Sequence, residues 1–143
     1  MVKITGKCLC EAIEYRYEGE IGDIVHCHCS KCRRWHGSAF RTRAIIEKSG
    51  FEWFKGEDML SYYDSSKNVT KTFCKNCGSN LVSIYKNNSD ILGLPLGGIE
   101  GKLGNKKSYH IFTDSRAEWH EITDDLEQYD ELPCDFNRTY EVK

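Results

Sequence analysis

Hydrophobic and polar residues alternate along several short stretches of the chain. Ile13, Tyr15 and Tyr17 alternate with charged residues, as on a strand with one buried face. The same pattern, or a short apolar run, recurs in seven further segments that are separated by Gly, Asn, Asp and Ser. These predicted strands cover residues 39–46, 51–54, 60–63, 69–73, 81–85, 91–96 and 109–113.

Helix signals are weak by comparison. We expect one helical turn after Cys29, ended by Gly37, and another over residues 123–128. No repeat or linker divides the 143 residues. The sequence therefore predicts a mainly β protein that forms a single domain over residues 1–143.

Composition and charge narrow the function classes. A hydrophobic fraction of 39% is ordinary for a globular protein. The net charge of −2 disfavours nucleic acid as a partner. The longest weakly polar stretch, 91–99, is too short to cross a bilayer, and residues 1–6 carry no signal peptide. We expect a cytoplasmic protein without a membrane partner, and the oligomeric state stays open.

Eight cysteines are the most informative feature of the composition. In a reducing compartment, closely spaced cysteines bind metal more often than they form disulfides. A thioredoxin-type redox pair is disfavoured because the βαβ context is missing. Cys134 stands alone and is expected to be a free thiol. The other seven form three groups: Cys8 and Cys10; Cys27, Cys29 and Cys32; Cys74 and Cys77.

Seven thiolates suit two tetrahedral zinc ions, one with four ligands and one with three and an open position. The three cysteines of residues 27–32 can reach one ion from a single short loop. The two remaining pairs would then form a closed four-sulfur site, in which iron stays an alternative to zinc. An open position is typical of catalytic zinc and a closed tetrahedron of structural zinc.

The histidines are not expected to bind metal. His28 lies between two ligand cysteines, so on an extended chain it points away from their ion. His26 and His36 flank the same loop and could line its mouth. His110 lies in a predicted strand and is expected to be a hydrogen-bonded core histidine.

The order of these motifs resembles the glutathione-dependent formaldehyde-activating enzyme family, whose domain also occurs in centromere protein V. The resemblance covers about residues 4–132, before an acidic C-terminal tail. It rests on Gly6-x-Cys8-x-Cys10, Cys27-His28-Cys29-Ser30-x-Cys32-Arg33, Phe73-Cys74-x-x-Cys77-Gly78-Ser79, His110-Ile111-Phe112-x-x-Ser115-x-Ala117-x-Trp119 and Asp124-Asp125-Leu126.

The resemblance implies an Mss4-like β-tent, in which small antiparallel sheets carry two zinc sites on loops. It implies a carbon–sulfur lyase that condenses formaldehyde with glutathione to S-hydroxymethylglutathione. Non-catalytic zinc-binding modules and adaptors are the alternative. The implied structural zinc ligands are Cys8, Cys10, Cys74 and Cys77, and the implied catalytic zinc ligands are Cys27, Cys29 and Cys32.

A thiol substrate is also chemically reasonable. Three thiolates give a zinc site a net charge of about −1, which favours a further soft ligand over activation of water. Five cations near the loop could pair with substrate carboxylates or could simply be solvated, and three aromatic residues could wall a pocket or pack in the core. The cations are Lys31, Arg33, Arg34, Arg41 and Arg43, and the aromatic residues are Trp35, Phe40 and Trp119.

Overall fold

The computed structural model describes residues 1–134, so the last nine residues of the predicted domain lie outside the description. The described chain is mostly strand, with one α-helix, α1, at Ser30–His36. Its first six strands are β1 (Val2–Lys7), β2 (Glu14–Gly19), β3 (Ile24–Cys27), β4 (Arg41–Glu47), β5 (Phe51–Lys55) and β6 (Leu60–Asp64). The remaining strands are β7 (Val69–Cys74), β8 (Asn80–Tyr85), β9 (Ile91–Pro95), β10 (Ile99–Glu100), β11 (Ser108–Ile111) and β12 (Glu127–Gln128).

Two sheets organise the described residues. The smaller has the order β10-β1-β2-β5 and is antiparallel throughout. The larger has the order β12-β11-β3-β4-β9-β8-β7-β6. It is antiparallel except where β11 pairs with β3 and β12, which are parallel to it. The mainly β fold expected from the alternating pattern is confirmed.

The main core lies between the sheets. Strand β1 alternates buried and exposed residues, as expected for a strand with one solvated face. Ile4, Tyr15 and Tyr17 of the smaller sheet belong to one buried cluster with Ile46 and Leu94 of the larger sheet. A second cluster contains Val25, Tyr109 and Ile111 together with three cysteines, so one group of predicted metal ligands lies inside a hydrophobic core.

The prediction of a helical turn over residues 123–128 is wrong. Residues 127–128 form β12, which pairs with β11 in parallel. The backbone N–H of Tyr129 donates to the carbonyl of His110 at 3.0 Å, and that of Thr113 donates to the carbonyl of Tyr129 at 3.1 Å. These tertiary hydrogen bonds outweigh a weak local helix preference.

Candidate metal centres

The four-cysteine group lies where two hairpins turn. Cys8 and Cys10 follow β1, and Cys74 and Cys77 follow or end β7. The second turn is closed by hydrogen bonds from Gly78 N–H to the Cys74 carbonyl (2.8 Å) and from Cys74 N–H to the Ser79 carbonyl (3.0 Å). Gly78 has φ 77°, a conformation that glycine adopts without a steric penalty.

A direct hydrogen bond joins the two turns. The backbone N–H of Leu9 donates to Ser79 Oγ at 2.8 Å. Cys8 Sγ lies 3.6 Å from Cys10 Sγ, and Cys10 Sγ lies 3.8 Å from Cys74 Sγ across 64 residues. Four sulfurs about 2.3 Å from a tetrahedral zinc ion lie about 3.8 Å from one another. These separations fit a tetrahedral thiolate site, and the group could hold a metal ion.

The surroundings of these sulfurs differ from one another. Burial raises the pKa of Cys8 to about 11. Burial also favours a higher pKa for Cys77. Hydrogen bonds outweigh this effect, first from Ser79 and then from the backbone of Cys10, and lower the pKa of Cys77 to about 5. The loop backbone therefore stabilises a thiolate at Cys77, while a cation is needed to keep Cys8 ionised.

The three-cysteine group is built from one local segment. Cys27 ends β3, Cys29 caps α1, and Cys32 lies in its first turn. Cys29 Sγ accepts a hydrogen bond from the Cys32 backbone N–H at 3.4 Å. Gly37, in a left-handed conformation, ends the helix where the sequence predicted. The cap that starts the helix thus also orients the Cys29 sulfur.

All three sulfurs of this group are buried. Cys27, Cys29 and Cys32 are 1%, 4% and 7% exposed, and their Sγ atoms lie within 4.8 Å of one another. Hydrogen bonds among them, followed by burial, raise the pKa of Cys27. A cation would reverse this shift, because it stabilises the thiolates. The group could hold a metal ion through three protein ligands.

Cationic side chains surround the three-cysteine group. Arg41 lies directly opposite Cys27 in the β3–β4 register and is 4% exposed, and Arg43 is 1% exposed. Burial favours a lower pKa for Arg41, but the nearby thiols of Cys32 and Cys27 raise it overall. Burial, and then Arg41, lower the pKa of Lys71 to about 8. The two arginines are therefore not solvated surface residues.

The cations of helix α1 are more exposed than Arg41 and Arg43. Lys31 and Arg34 are exposed, and Arg33 is half-buried. Trp35 stacks on Tyr63 with ring centroids 6.0 Å apart. Trp35 therefore packs α1 against the larger sheet, while Lys31 and Arg34 face solvent.

A chain of histidines lies on the opposite side of β3. The alternation of His28 with the ligand cysteines predicted its direction but not its partners. His28 Nε2 is 2.8 Å from His110 Nδ1, and His110 Nε2 is 3.0 Å from an Asp124 carboxylate oxygen. His26 contacts the hydroxyls of Thr42 and Ser108 instead. His110 is therefore a hydrogen-bonded core histidine, and His28 points towards it rather than towards the sulfurs.

The remaining candidates are dispersed. Phe40 packs against His28 with centroids 4.9 Å apart, so it belongs to the histidine cluster. Trp119 is 73% exposed. Cys134 is exposed and lies in neither cysteine group.

A cleft of about 770 Å³ opens beside the four-cysteine group and extends to residues of α1 and β4. Cys8 and Ser79 line its wall at the four-cysteine group, and His36 and Arg41 line it near the three-cysteine group. Lys7 and two acidic residues form a further part of the lining. Sequence reasoning missed this cleft because its walls come from distant segments.

Residues 3–115 match a known family model, described as glutathione-dependent formaldehyde-activating enzyme. The chain belongs to this family. The matched range includes all seven clustered cysteines and ends before residues 116–132, whose inclusion in the domain stays a prediction.

Relatives of the chain support the same family. An uncharacterized lyase of Schizosaccharomyces pombe is 33% identical over 87 residues, which are 61% of each chain. A second relative, from Pyrenophora teres f. teres, is named as a glutathione-dependent formaldehyde-activating enzyme. It is 28% identical over 79 residues, which are 55% of this chain and 42% of its own length. The matched region therefore spans between two fifths and two thirds of these relatives.

A solved structure is also similar. A Rhodobacter sphaeroides protein is 26% identical and superimposes with a TM-score of 0.59, covering 73% of this chain and 98% of its own. Within residues 1–134, no helix is both long and apolar enough to span a membrane.

Proposed function

We propose that this protein is a zinc-dependent carbon–sulfur lyase that condenses an aldehyde such as formaldehyde with glutathione or a related thiol. The observation that carries the proposal is the unequal grouping of the seven cysteines, four in one cluster and three in the other. The family and the lyase among the relatives support the reaction class.

The four-cysteine group is assigned a structural zinc ion and the three-cysteine group a catalytic one, which makes two ions per chain. Sulfur separations of 3.6 and 3.8 Å suit zinc in the first group. In the second group, Cys27, Cys29 and Cys32 would hold the ion and leave one position for substrate. A zinc ion bound there would supply a Lewis-acidic centre that stabilises the substrate thiol as a thiolate.

The reaction forms one carbon–sulfur bond. The thiol sulfur attacks the carbonyl carbon, the carbonyl π bond breaks, and the thiol proton ends on the new hydroxyl oxygen. No redox partner is needed. Arg41 contributes positive charge beside Cys27, which offsets the negative charge that accumulates when a fourth thiolate joins three others.

The second candidate is a non-catalytic zinc-binding module or adaptor. The burial of all three sulfurs favours it, because a catalytic ion has to be reached by its substrate. The two functions differ in what a thiol does at the site. Added glutathione would not bind to a structural ion, whereas it would become a ligand of a catalytic ion.

Cobalt substitution tests the proposal. Glutathione should strengthen the thiolate-to-cobalt charge-transfer absorption of the wild-type protein, and Cys32→Ala should abolish this change. Cys134→Ser is the matched control, because Cys134 is exposed and outside both groups. Adduct formation from formaldehyde and glutathione should exceed the uncatalysed rate. If glutathione causes no spectral change and adduct formation is not accelerated, the non-catalytic candidate is supported instead.

A further inference from the structure

His28 lies between two predicted metal ligands, and β11 holds both its backbone and its side chain. Its backbone N–H donates to the Ile111 carbonyl at 3.0 Å. Its ring nitrogen Nε2 lies 2.8 Å from His110 Nδ1, and the residue is fully buried. Because Cys27 and Cys29 are its neighbours in the chain, a fixed His28 limits how far their sulfurs can move.

The hydrogen bonds continue from His110 to Asp124. His110 Nε2 lies 3.0 Å from Asp124 Oδ2 and 3.2 Å from Oδ1, and Oδ1 also accepts from the backbone N–H of Leu126 at 3.0 Å. His110 is buried, whereas the Asp124 side chain is 47% exposed. The hydrogen bond from His110 lowers the pKa of Asp124, so this carboxyl group is ionised at neutral pH. The chain thus runs from a half-exposed carboxylate to the buried ring of His28.

The ionised carboxylate sets the direction of the hydrogen bonds through both rings. A carboxylate only accepts hydrogen bonds, so His110 Nε2 carries a proton and, in the neutral ring that burial favours, His110 Nδ1 is an acceptor. His28 Nε2 must then donate, which leaves a lone pair on His28 Nδ1. That atom is buried and has no hydrogen-bond partner within residues 1–134. The opposite direction would leave a buried N–H there without an acceptor, and such groups are rare in proteins.

We propose that Asp124 is a positioning residue for the metal site at the three-cysteine group, and that it acts through His110 and His28. The chain of hydrogen bonds fixes one orientation and one tautomer of the His28 ring, and the ring holds the backbone on either side of it. Asp124 lies beyond residues 3–115, which match the family model, so a segment outside the match supports the site. The inference rests on the proposed function for the presence of a metal ion in this group.

Nitrogen NMR of the zinc-loaded wild-type protein tests the direction of the chain without any substitution. Two-bond correlations between ring protons and ring nitrogens distinguish the two tautomers of each histidine. At neutral pH, both His28 and His110 should be the Nε2–H tautomer, because each donates towards the carboxylate end of the chain. An Nδ1–H tautomer at His28 would overturn the proposal, since the chain would then not run from Asp124 to this ring.

Two neighbouring aspartates provide a matched pair of variants. Asp124→Asn should weaken cobalt binding at the three-cysteine group by about three- to tenfold, which is below the roughly ten- to hundredfold typical of a group that bonds directly to a metal ligand. Asp125→Asn removes the same charge from the adjacent exposed residue and should have no effect. Competition with a metal indicator measures both affinities, and the cobalt ligand-field bands should shift only in Asp124→Asn. Equal affinities and identical spectra in the two variants would overturn the proposal.

A double variant separates positioning from general stability. In His28→Gln the ring that the chain fixes is absent, so adding Asp124→Asn should cost no further cobalt affinity. A merely structural Asp124 would weaken cobalt binding equally with and without the His28 ring, and such additive losses would contradict the proposal. If His28→Gln does not fold, the NMR of the wild-type protein and the two aspartate variants still decide.

The positioning role and the proposed function can fail separately. Bound cobalt that responds to glutathione, with equal cobalt affinities in Asp124→Asn and Asp125→Asn, overturns the role of Asp124 and keeps the reaction. Weaker cobalt binding in Asp124→Asn alone, without any response to glutathione, supports the role of Asp124 and removes the reaction. If the three-cysteine group of the wild-type protein binds no metal ion, both are overturned.

Discussion

The two cysteine groups differ in how the chain builds them. The four-cysteine group joins turns that are 64 residues apart between Cys10 and Cys74, and Cys10 is exposed. The three-cysteine group comes from one segment, is buried throughout and faces the buried guanidinium of Arg41. The four-cysteine group joins distant parts of the fold. The three-cysteine group is held by a helix cap, and its charge is partly offset by the buried Arg41.

The difference predicts separate consequences for stability and chemistry. Loss of the long-range group releases a large loop and exposes buried sulfurs, so the fold should suffer. Loss of the local group leaves the strand pairing within each sheet intact, so mainly the local chemistry should suffer. Four predictions follow this contrast from the largest expected effect to the smallest.

Removing ligands should have the largest effect. Cys74→Ala should lower the free energy of unfolding by about 5 kcal/mol or more, because structural zinc contributes on the order of 10–16 kcal/mol. Cys32→Ala should cost about 1–3 kcal/mol and empty only the second site. Thermal melts and zinc counts on both variants measure this, with Cys134→Ser as control. Equal collapse of the two variants would mean that both groups are structural.

Metal removal should proceed in two steps. Each wild-type chain should contain about two zinc ions, and a chelator should take the three-ligand ion first because it has fewer protein ligands. Zinc release followed with a chromophoric indicator, beside circular dichroism, would show an early loss without unfolding. Simultaneous loss of both ions with the fold would contradict the division into two kinds of site.

Arg41 should affect one site only. Arg41→Gln should weaken zinc in the three-cysteine group by about tenfold, since three bound thiolates leave a net negative charge that Arg41 offsets. The four-cysteine group should keep its ion. Competition with a zinc indicator of known affinity measures the zinc affinity of each cysteine group separately. Equal weakening in both groups would point to general destabilisation.

The smallest effect concerns pH. Burial, and then Arg41, lower the pKa of His36 to about 4, so the folded state binds fewer protons than the unfolded chain between pH 6.5 and 4. The effect of His36 on the free energy of unfolding is therefore most favourable above pH 6.5, and the free energy of unfolding decreases as the pH falls towards 4. Wild type should lose about 1 kcal/mol more than His36→Asn between pH 7.5 and 5.5. Urea unfolding at both values measures it, and identical pH dependence would refute it.

Local sequence patterns sufficed for much of the fold. The predicted strands at 51–54, 81–85 and 91–96 correspond closely to Phe51–Lys55, Asn80–Tyr85 and Ile91–Pro95. Alternation reports which face of a strand is buried, and such information is local. Strands β1, β3, β10 and β12 were not predicted. Two of these have only two residues, so their pairing partners define them rather than their composition.

The sequence by itself determined the ligand chemistry, because thiolates at short spacing favour a soft tetrahedral ion whatever fold surrounds them. It also predicted a helical turn after Cys29 that ends at Gly37, where the structure has α1. Only the tertiary structure placed Arg41 against Cys27 and joined Asp124, His110 and His28 into one chain. Strand register and sheet order decide these contacts, and the free energy that selects them comes from burial across the whole molecule rather than from neighbouring residues.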